Sequence, residues 1–283
     1  MIVTRILRQF VLMLVVTLSI MAACGFAQTP PADNEYQPTE GQDGKDVIWL
    51  PTAQALAEKM LNLARVTPDD NVIDLGSGDG RLVISAAKRG ARALGIEYNP
   101  DLVALSKRNA AREGVGERAK FIEADIFKSD FSQATVITMF LLPHLNLQLR
   151  PAILGLKPGT RIVSNSFNMG EWTADQSVAV TREEGCDGNY CEAYLWIVPA
   201  KIEGTWKFPQ GELELKQSFQ MLSGDLRNGA DRLPVFDGRL SGDRISFRIG
   251  DAHYTGRVIG NTMAGTFTSN GRTDGWNANR VVN

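Results

Sequence analysis

The segment Asn71-Val72-Ile73-Asp74-Leu75-Gly76-Ser77-Gly78-Asp79-Gly80-Arg81-Leu82-Val83 runs an apolar stretch into an acid, three alternating glycines and a second apolar stretch. Strand, glycine turn and helix in that order bring backbone against a ligand, because a turn without Cβ atoms tolerates close approach. Several ligands use such a turn. A Walker-type phosphate loop ends in Gly-Lys-Ser/Thr, whereas Gly80 here precedes Arg81-Leu82. The dinucleotide fingerprint is G-x-G-x-x-G, and this chain, with G-x-G-x-G, is one residue short of it. Two further acids follow later apolar runs: Glu97 after Ala93–Ile96, and Asp125 within Glu123-Ala124-Asp125-Ile126. With Asp74 they place three acids behind three successive strands, a set that converges at the carboxyl edge of a parallel sheet.

The acid-led glycine turn resembles motif I of class I S-adenosylmethionine-dependent methyltransferases. That resemblance implies a Rossmann-like sheet with helices on both faces and S-adenosylmethionine as cofactor. The donor has no phosphate, so the turn would serve contact more than charge. Gly76, Ser77, Gly78 and Gly80 would form the turn, and Asp74 would face the donor's ammonium through water or backbone. Glu97, with Tyr98 beside it, would accept from both ribose hydroxyls in a charge-assisted pairing. Asp125 would hold the adenine amino group, with Ile126 against the ring.

The likeness narrows further. Asp74–Arg81, Gly95-Ile96-Glu97-Tyr98-Asn99-Pro100, Leu141-Leu142-Pro143 and Leu156-Lys157-Pro158-Gly159 look like the family that includes the mitochondrial ATP-synthase c-subunit lysine methyltransferase and its bacterial relatives. Trp49-Leu50-Pro51-Thr52 is similar to that family's Val-Pro-Thr segment, which implies that Thr52 helps cover the donor. The likeness spans residues 47–200 and implies a protein lysine as methyl acceptor. The acceptor site is expected beside the end of the fourth strand, where Phe140, Pro143 and His144 are the candidate catalytic or acceptor-lining residues. Asn165 and Trp172 are weaker candidates near the next strand. The Asn/Asp-Pro-Pro-Tyr/Phe motif of enzymes that methylate amino groups of bases is absent, which argues against nucleic acid as substrate.

The elements that would position these residues alternate at α/β spacing, which implies a parallel sheet covered on both faces. Thr52 is expected to cap a helix running to Arg65. Strands follow at Val72–Leu75, Ala93–Ile96, Lys120–Glu123, Ala134–Leu141 and Arg161–Ser166, with helices over Arg81–Arg89, Asp101–Arg112 and Leu145–Leu154. Ser177–Thr181 and Glu192–Val198 read as a closing antiparallel pair around Cys186 and Cys191. Those two cysteines bracket the turn residues Asp187-Gly188-Asn189-Tyr190, so they face each other and favour a disulfide in an oxidising compartment. Two histidines and no second cysteine pair argue against zinc.

Residues 201–283 differ in character, with short alternating strands separated by glycines and almost no helix signal. They are expected to form a small all-β domain, barrel- or sandwich-like, with Trp206 and Trp276 at one end and Arg280 stacked on an indole.

At the other terminus, Arg5 and Arg8 precede an apolar run from Phe10, and Gly25-Phe26-Ala27 supplies small residues at its exit. This is the pattern of a secretory signal over residues 1–27, with residues 28–46 as a polar linker and 47–200 as the methyltransferase domain. Cleavage after Ala27 and a retained anchor, with Cys24 as a lipidated residue, both remain open. The acids of residues 28–44 against the early arginines orient the body outward, in or facing the periplasm. A start downstream of the apolar run would leave the chain in the cytoplasm. A net charge of −2 gives no global attraction to nucleic acid or to an anionic membrane. Membrane contact is expected only through the N-terminal segment if uncleaved. Two functions follow: a methyltransferase acting on a protein lysine or another small nucleophile, or an exported binding protein that keeps the fold without turnover.

Overall fold

The computed structural model describes residues 36–282. The segment 1–27 expected as a signal, with Cys24, and the first part of the expected linker lie outside the described residues. Among the described residues, no helix is long and apolar enough to cross a membrane.

Seven strands form one sheet: β1 (Asn71–Leu75), β2 (Arg92–Glu97), β3 (Ala119–Glu123), β4 (Val136–Met139), β5 (Arg161–Asn165), β6 (Gln176–Ala179) and β7 (Glu192–Ile197). Their order is β3-β2-β1-β4-β5-β7-β6. Neighbours among the first five are parallel, while β7 runs antiparallel to both β5 and β6. Strand order reverses between β1 and β4, so the connections leave β1 to one side and β4 to the other and open a crevice at their carboxyl ends.

Side chains alternate across the sheet with period 2. Val72, Val136, Val163 and Leu195 belong to one core with the helices α1 (Gln54–Leu63), α2 (Arg81–Lys88) and α3 (Pro100–Arg112). Ile73, Ile137, Ile162 and Trp196 belong to the opposite core with α4 (Pro143–Ile153). Burial on both faces explains why these strands read as continuous apolar runs. Trp172 lies fully buried in the second core, packed against Trp196 and stacked on Phe219. It is fully buried core that lines neither of the cavities described below, and its candidacy for the acceptor site falls.

Two expectations are corrected. α1 begins at Gln54 with Ala53 as N-cap and no side-chain cap. Thr52 turns its hydroxyl to accept from Asn165 Nδ2 at 3.1 Å, so a tertiary contact displaces the local cap. β4 ends at Met139, short of Leu141, because Phe140–Leu142 leave the sheet to wall the crevice.

Eight antiparallel strands form a closed barrel: β8 (Gly204–Phe208), β9 (Gly211–Ser218), β10 (Met221–Asn228), β11 (Asp231–Ser241), β12 (Arg244–Ile249), β13 (Ala252–Ile259), β14 (Thr262–Ser269) and β15 (Arg272–Arg280). Pairing of Asn279 with Lys207 and Arg280 with Trp206 closes it, and closure removes the sheet's edges. Trp206, Phe208, Phe247, Tyr254 and Trp276 fill its interior. The Arg280 guanidinium stacks 4.4 Å from the Trp206 ring while donating to the Glu203 and Lys201 carbonyls. The barrel is fastened to the sheet domain by Gln220 Nε2 donating to the Thr173 carbonyl, by Arg239 on Asp175, and by the Ala200 amide on the Gly242 carbonyl.

The start of α3 shows how local sequence sets the crevice rim. Asn99 caps it, accepting from the Asp101 amide at 2.9 Å, and Pro100 occupies the first turn. Asn99→Ala is expected to destabilise the protein by about 1 kcal/mol, read as a lower midpoint in urea denaturation.

Candidate functional site

The glycine turn is tied to β2 by the Gly76 and Ser77 amides, which both donate to the Ile96 carbonyl at 2.9 and 3.1 Å. Gly78 has φ +54°, and a Cβ there would stand 3.0 Å from Trp49 Nε1, so an indole lies directly over the turn. Gly80 has a different task. At φ +84° it caps α2, and a Cβ there would meet the Phe121 ring at 2.8 Å. It is buried structure beneath the turn and does not line the cavity. Gly76, Ser77 and Gly78 do line it. The Ser77 hydroxyl is not aimed there: it lies 2.5 Å from where a Gly95 Cβ would be and has no partner among the described residues.

The three acids also line this cavity, which contains about 1020 Å³ of non-atom space, its open mouth included. Asp74 is buried and accepts from Thr138 Oγ1 at 2.7 Å, across the β1–β4 register that pairs the two residues. Burial pushes its carboxyl up to about 7; the Thr138 bond opposes this, and the charges of Glu97 and Asp79 add to it. Glu97 accepts from the Gly78 amide with one oxygen and the Asn99 amide with the other, each at 2.9 Å. It therefore braces the turn, and each oxygen keeps a lone pair for a further donor. Asp125 accepts from the Phe127 amide at 2.9 Å and from Lys45 Nζ at 3.0 Å. The Phe127 amide first, and then Lys45, hold its carboxyl below the usual value.

Lys45 belongs to a strap over residues 41–52. The strap is closed on itself by the Gly41 amide on the Trp49 carbonyl and the Trp49 amide on the Gln42 carbonyl, both 2.9 Å. Lys45 reaches across the cavity, bridging Asp46 and Asp125, with its ammonium 5.1 Å from the Tyr98 ring centroid. Arg81 clamps the strap's other end, donating to the Thr52 carbonyl at 2.5 Å and to Asp79. Lys45, Arg81 and Thr138 were not legible as site residues. Thr138 alone had a signal, a polar residue inside an otherwise apolar strand opposite Asp74.

Phe140 lines this cavity and a second one beside it, of about 980 Å³, whose wall is Phe140, Leu141, Leu142, Phe167 and Tyr190 with the strap opposite. Phe140 centroids lie 6.1 Å from Phe167 and 5.3 Å from Tyr190. Pro143 and His144 line neither cavity and are exposed on the first turn of α4. Leu145 and Leu149 take the buried side of that helix. Successive helical residues stand 100° apart, so His144 is turned away from the buried side that Leu145 occupies. Asn165 is buried behind Thr52 as a support. His253 sits in the barrel, outside both cavities.

Residues 74–176 match the family described as the ANTKMT methyltransferase domain. A protein-lysine N-methyltransferase of Saccharolobus islandicus is 38% identical over 156 residues, covering 54% of this chain and 94% of the relative. The chain belongs to the S-adenosylmethionine-dependent methyltransferases. It is also 37% identical over 131 residues to the human ATP-synthase c-subunit lysine N-methyltransferase, covering 45% of this chain and 56% of that protein, little more than half its length. Among solved structures, an RNA methyltransferase from Salinibacter ruber in complex with S-adenosyl-L-homocysteine is 42% identical, covers 54% of this chain and 96% of its own, and superposes with a TM-score of 0.49.

The cavity of this methyltransferase fits its donor. Glu97 offers acceptors for hydroxyls and Asp125 for an exocyclic amine, Ile126, Leu102 and Leu141 supply apolar walls, and the acids complement a cationic ligand. Asp74 carries a pH signature. Its folded pKa of about 7 exceeds the ordinary 3.8, so the folded state keeps a proton that the unfolded chain has lost. Stability is therefore lost as pH rises from about 4 to about 7. Asp74→Asn is expected to flatten the fall in melting temperature between pH 5 and pH 8, and an unchanged slope would show that Asp74 is not the group responsible.

Proposed function

We propose that this methyltransferase transfers a methyl group to the ε-amine of a lysine in a protein acceptor. The observation that carries the reading is the wall shared by the two cavities. Phe140 and Leu141 line both, so a narrow side chain entering the second cavity meets the donor cavity at its end. Asp43, Lys45 and Asp46 line the second cavity from the strap, with Lys45 paired to Asp46, and the net negative charge of the three favours entry of a cation. The lysine-directed relatives support the same acceptor and lend no support to a non-catalytic binding protein.

When bound, S-adenosylmethionine supplies a methyl on a sulfonium sulfur, which an amine lone pair displaces in line, the C–N bond forming as the C–S bond breaks. The chain's own residues then have limited tasks. Glu97 and Asp125 orient the donor, while the strap, with Trp49 over Gly78, excludes water. The apolar wall of Phe140 and Leu141 desolvates the arriving ammonium, which lowers its pKa and releases the proton that attack requires. Proximity and orientation carry much of such a reaction, so a dedicated general base is not needed.

We also propose that the mature chain works outside the cytoplasm. The signal-like N-terminus and the Cys186–Cys191 disulfide support this. An alkaline-phosphatase fusion after residue 45 should be active, and an inactive fusion would place the protein in the cytoplasm. Calorimetric titration with S-adenosylmethionine tests the donor site. Glu97→Ala should weaken binding by about 1–3 kcal/mol, and unchanged affinity would remove Glu97 from the donor contacts. Mass-spectrometric transfer of labelled methyl to lysine in envelope proteins tests the acceptor.

A further inference from the structure

Tyr190 sits in the turn between β6 and β7, and this turn is unusual in being bridged. Cys186 and Cys191 form a disulfide around Asp187-Gly188-Asn189-Tyr190. The antiparallel strands β6 and β7 place the turn at the carboxyl end of β5, because Ala193 pairs Asn165 there and Ala179 pairs Glu192. The turn's other anchors are the Val180 amide on the Cys191 carbonyl at 2.8 Å, the Cys186 amide on the Thr181 carbonyl at 3.1 Å, and Lys59 of α1 on Glu184 at 2.7 Å. Cys186 is buried, so the bridge is rooted in the core, and Tyr190 is the residue next to its other half.

Tyr190, which this tether presents, is 40% exposed as a residue, yet its ring is not idle surface. Its centroid lies 5.3 Å from Phe140 and 5.9 Å from Phe167, tilted by 59° and 55°, while Phe140 and Phe167 stack at 22°. Two nearly parallel rings and one inclined ring form one aromatic cluster on the cavity wall. Strap residues Asp43, Lys45 and Asp46 line the same cavity, with Lys45 paired to Asp46, so the strap brings a net negative charge to it. Aromatic faces attract cations, flat walls accept an unbranched methylene chain, and carboxylates reinforce the charge preference. Tyr190 and Phe167 line the second cavity and not the donor cavity, whereas Phe140 lines both.

We propose that Tyr190, held against Phe140 and Phe167 by the Cys186–Cys191 bridge, is a specificity-determining wall of the acceptor slot and selects an unbranched cationic amine. The proposal rests on the lysine reading above and deepens it by naming the residue that selects the acceptor and the bond that positions it. It also gives the cysteine pair a task beyond stability: the two half-cystines are positioning residues for a ring that touches the acceptor.

The test uses the mature chain, residues 28–283, with labelled S-adenosylmethionine and a degenerate nine-residue peptide library centred on lysine. Matched libraries centred on norleucine serve as neutral competitors. The wild type should methylate the lysine library, with the norleucine library competing poorly. Tyr190→Ala should raise the half-saturating peptide concentration by roughly two- to fivefold, the size of one cation–π contact with a partly exposed ring. Donor affinity by calorimetry should stay within twofold, and Tyr190→Phe should behave like the wild type. Opening the bridge with dithiothreitol, verified by alkylation and mass, should raise the half-saturating concentration in the same direction, and reoxidation should restore it. Transfer to lysine that is insensitive to Tyr190→Ala would overturn the role of Tyr190 while leaving the lysine reading intact. An unchanged half-saturating concentration in the reduced enzyme would overturn the tether. Intact donor binding with no transfer to any lysine peptide would sink the lysine reading and this proposal with it.

Discussion

Negative charge converges on one edge of the sheet, and the site is organised around the ways that charge is tolerated. Asp74, Asp79, Glu97 and Asp125 all line one cavity. Each is accommodated differently. Asp74 is buried beside Thr138 and holds a proton up to about pH 7. Arg81 engages Asp79, two backbone amides satisfy Glu97, and the Phe127 amide and Lys45 satisfy Asp125. Such a site is electrostatically complementary to a ligand that brings a sulfonium, an ammonium, hydroxyl donors and an exocyclic amine. The protein's own cations, Lys45 and Arg81, stand where they bridge the strap to the sheet, so acids that line the cavity also fasten its cover.

Two segments outside the parallel strands complete the crevice, one from each side. The strap lays Trp49 over Gly78 and Lys45 across Tyr98. The β6–β7 turn lays Tyr190 against Phe140 and Phe167. Both are irregular backbone, and both are fixed by specific bonds: Arg81 on the Thr52 carbonyl for the first, the disulfide for the second. Loops positioned by a rigid sheet are the usual carriers of specificity. The barrel stands apart from this. It contributes no lining to either cavity, and its interior is filled by aromatic side chains. Its contacts with the sheet domain include Thr173, Asp175 and Ala200, none of which lines either cavity, with Phe219 stacked on Trp172.

Much of this was legible in the sequence, for local reasons. The glycine turn, Glu97 and Asp125 are readable because each stands at a fixed offset from an apolar strand. The Asn99-Pro100 start of α3 and the turn that brings the cysteines together depend only on neighbouring residues. The alternation of strands and helices implied the sheet class through burial on both faces. For the C-terminal strands, alternation alone left barrel and sandwich open, and the pairing of β15 with β8 decided it.

Contacts between segments far apart in the chain were settled by folding alone. Thr52 reads as a helix cap, yet Asn165, more than a hundred residues away, takes its hydroxyl. His144 reads as a candidate base, yet the buried side taken by Leu145 turns it away. Phe167 and Tyr190 carry no motif, and they matter because β5 and the β6–β7 turn end beside Phe140. The donor chemistry is already written along the chain, since it is built from backbone turns and strand-end acids whose placement is local. The aromatic wall of the second cavity comes from packing, because its rings belong to three separate segments, and no pattern along one segment encodes where another will lie.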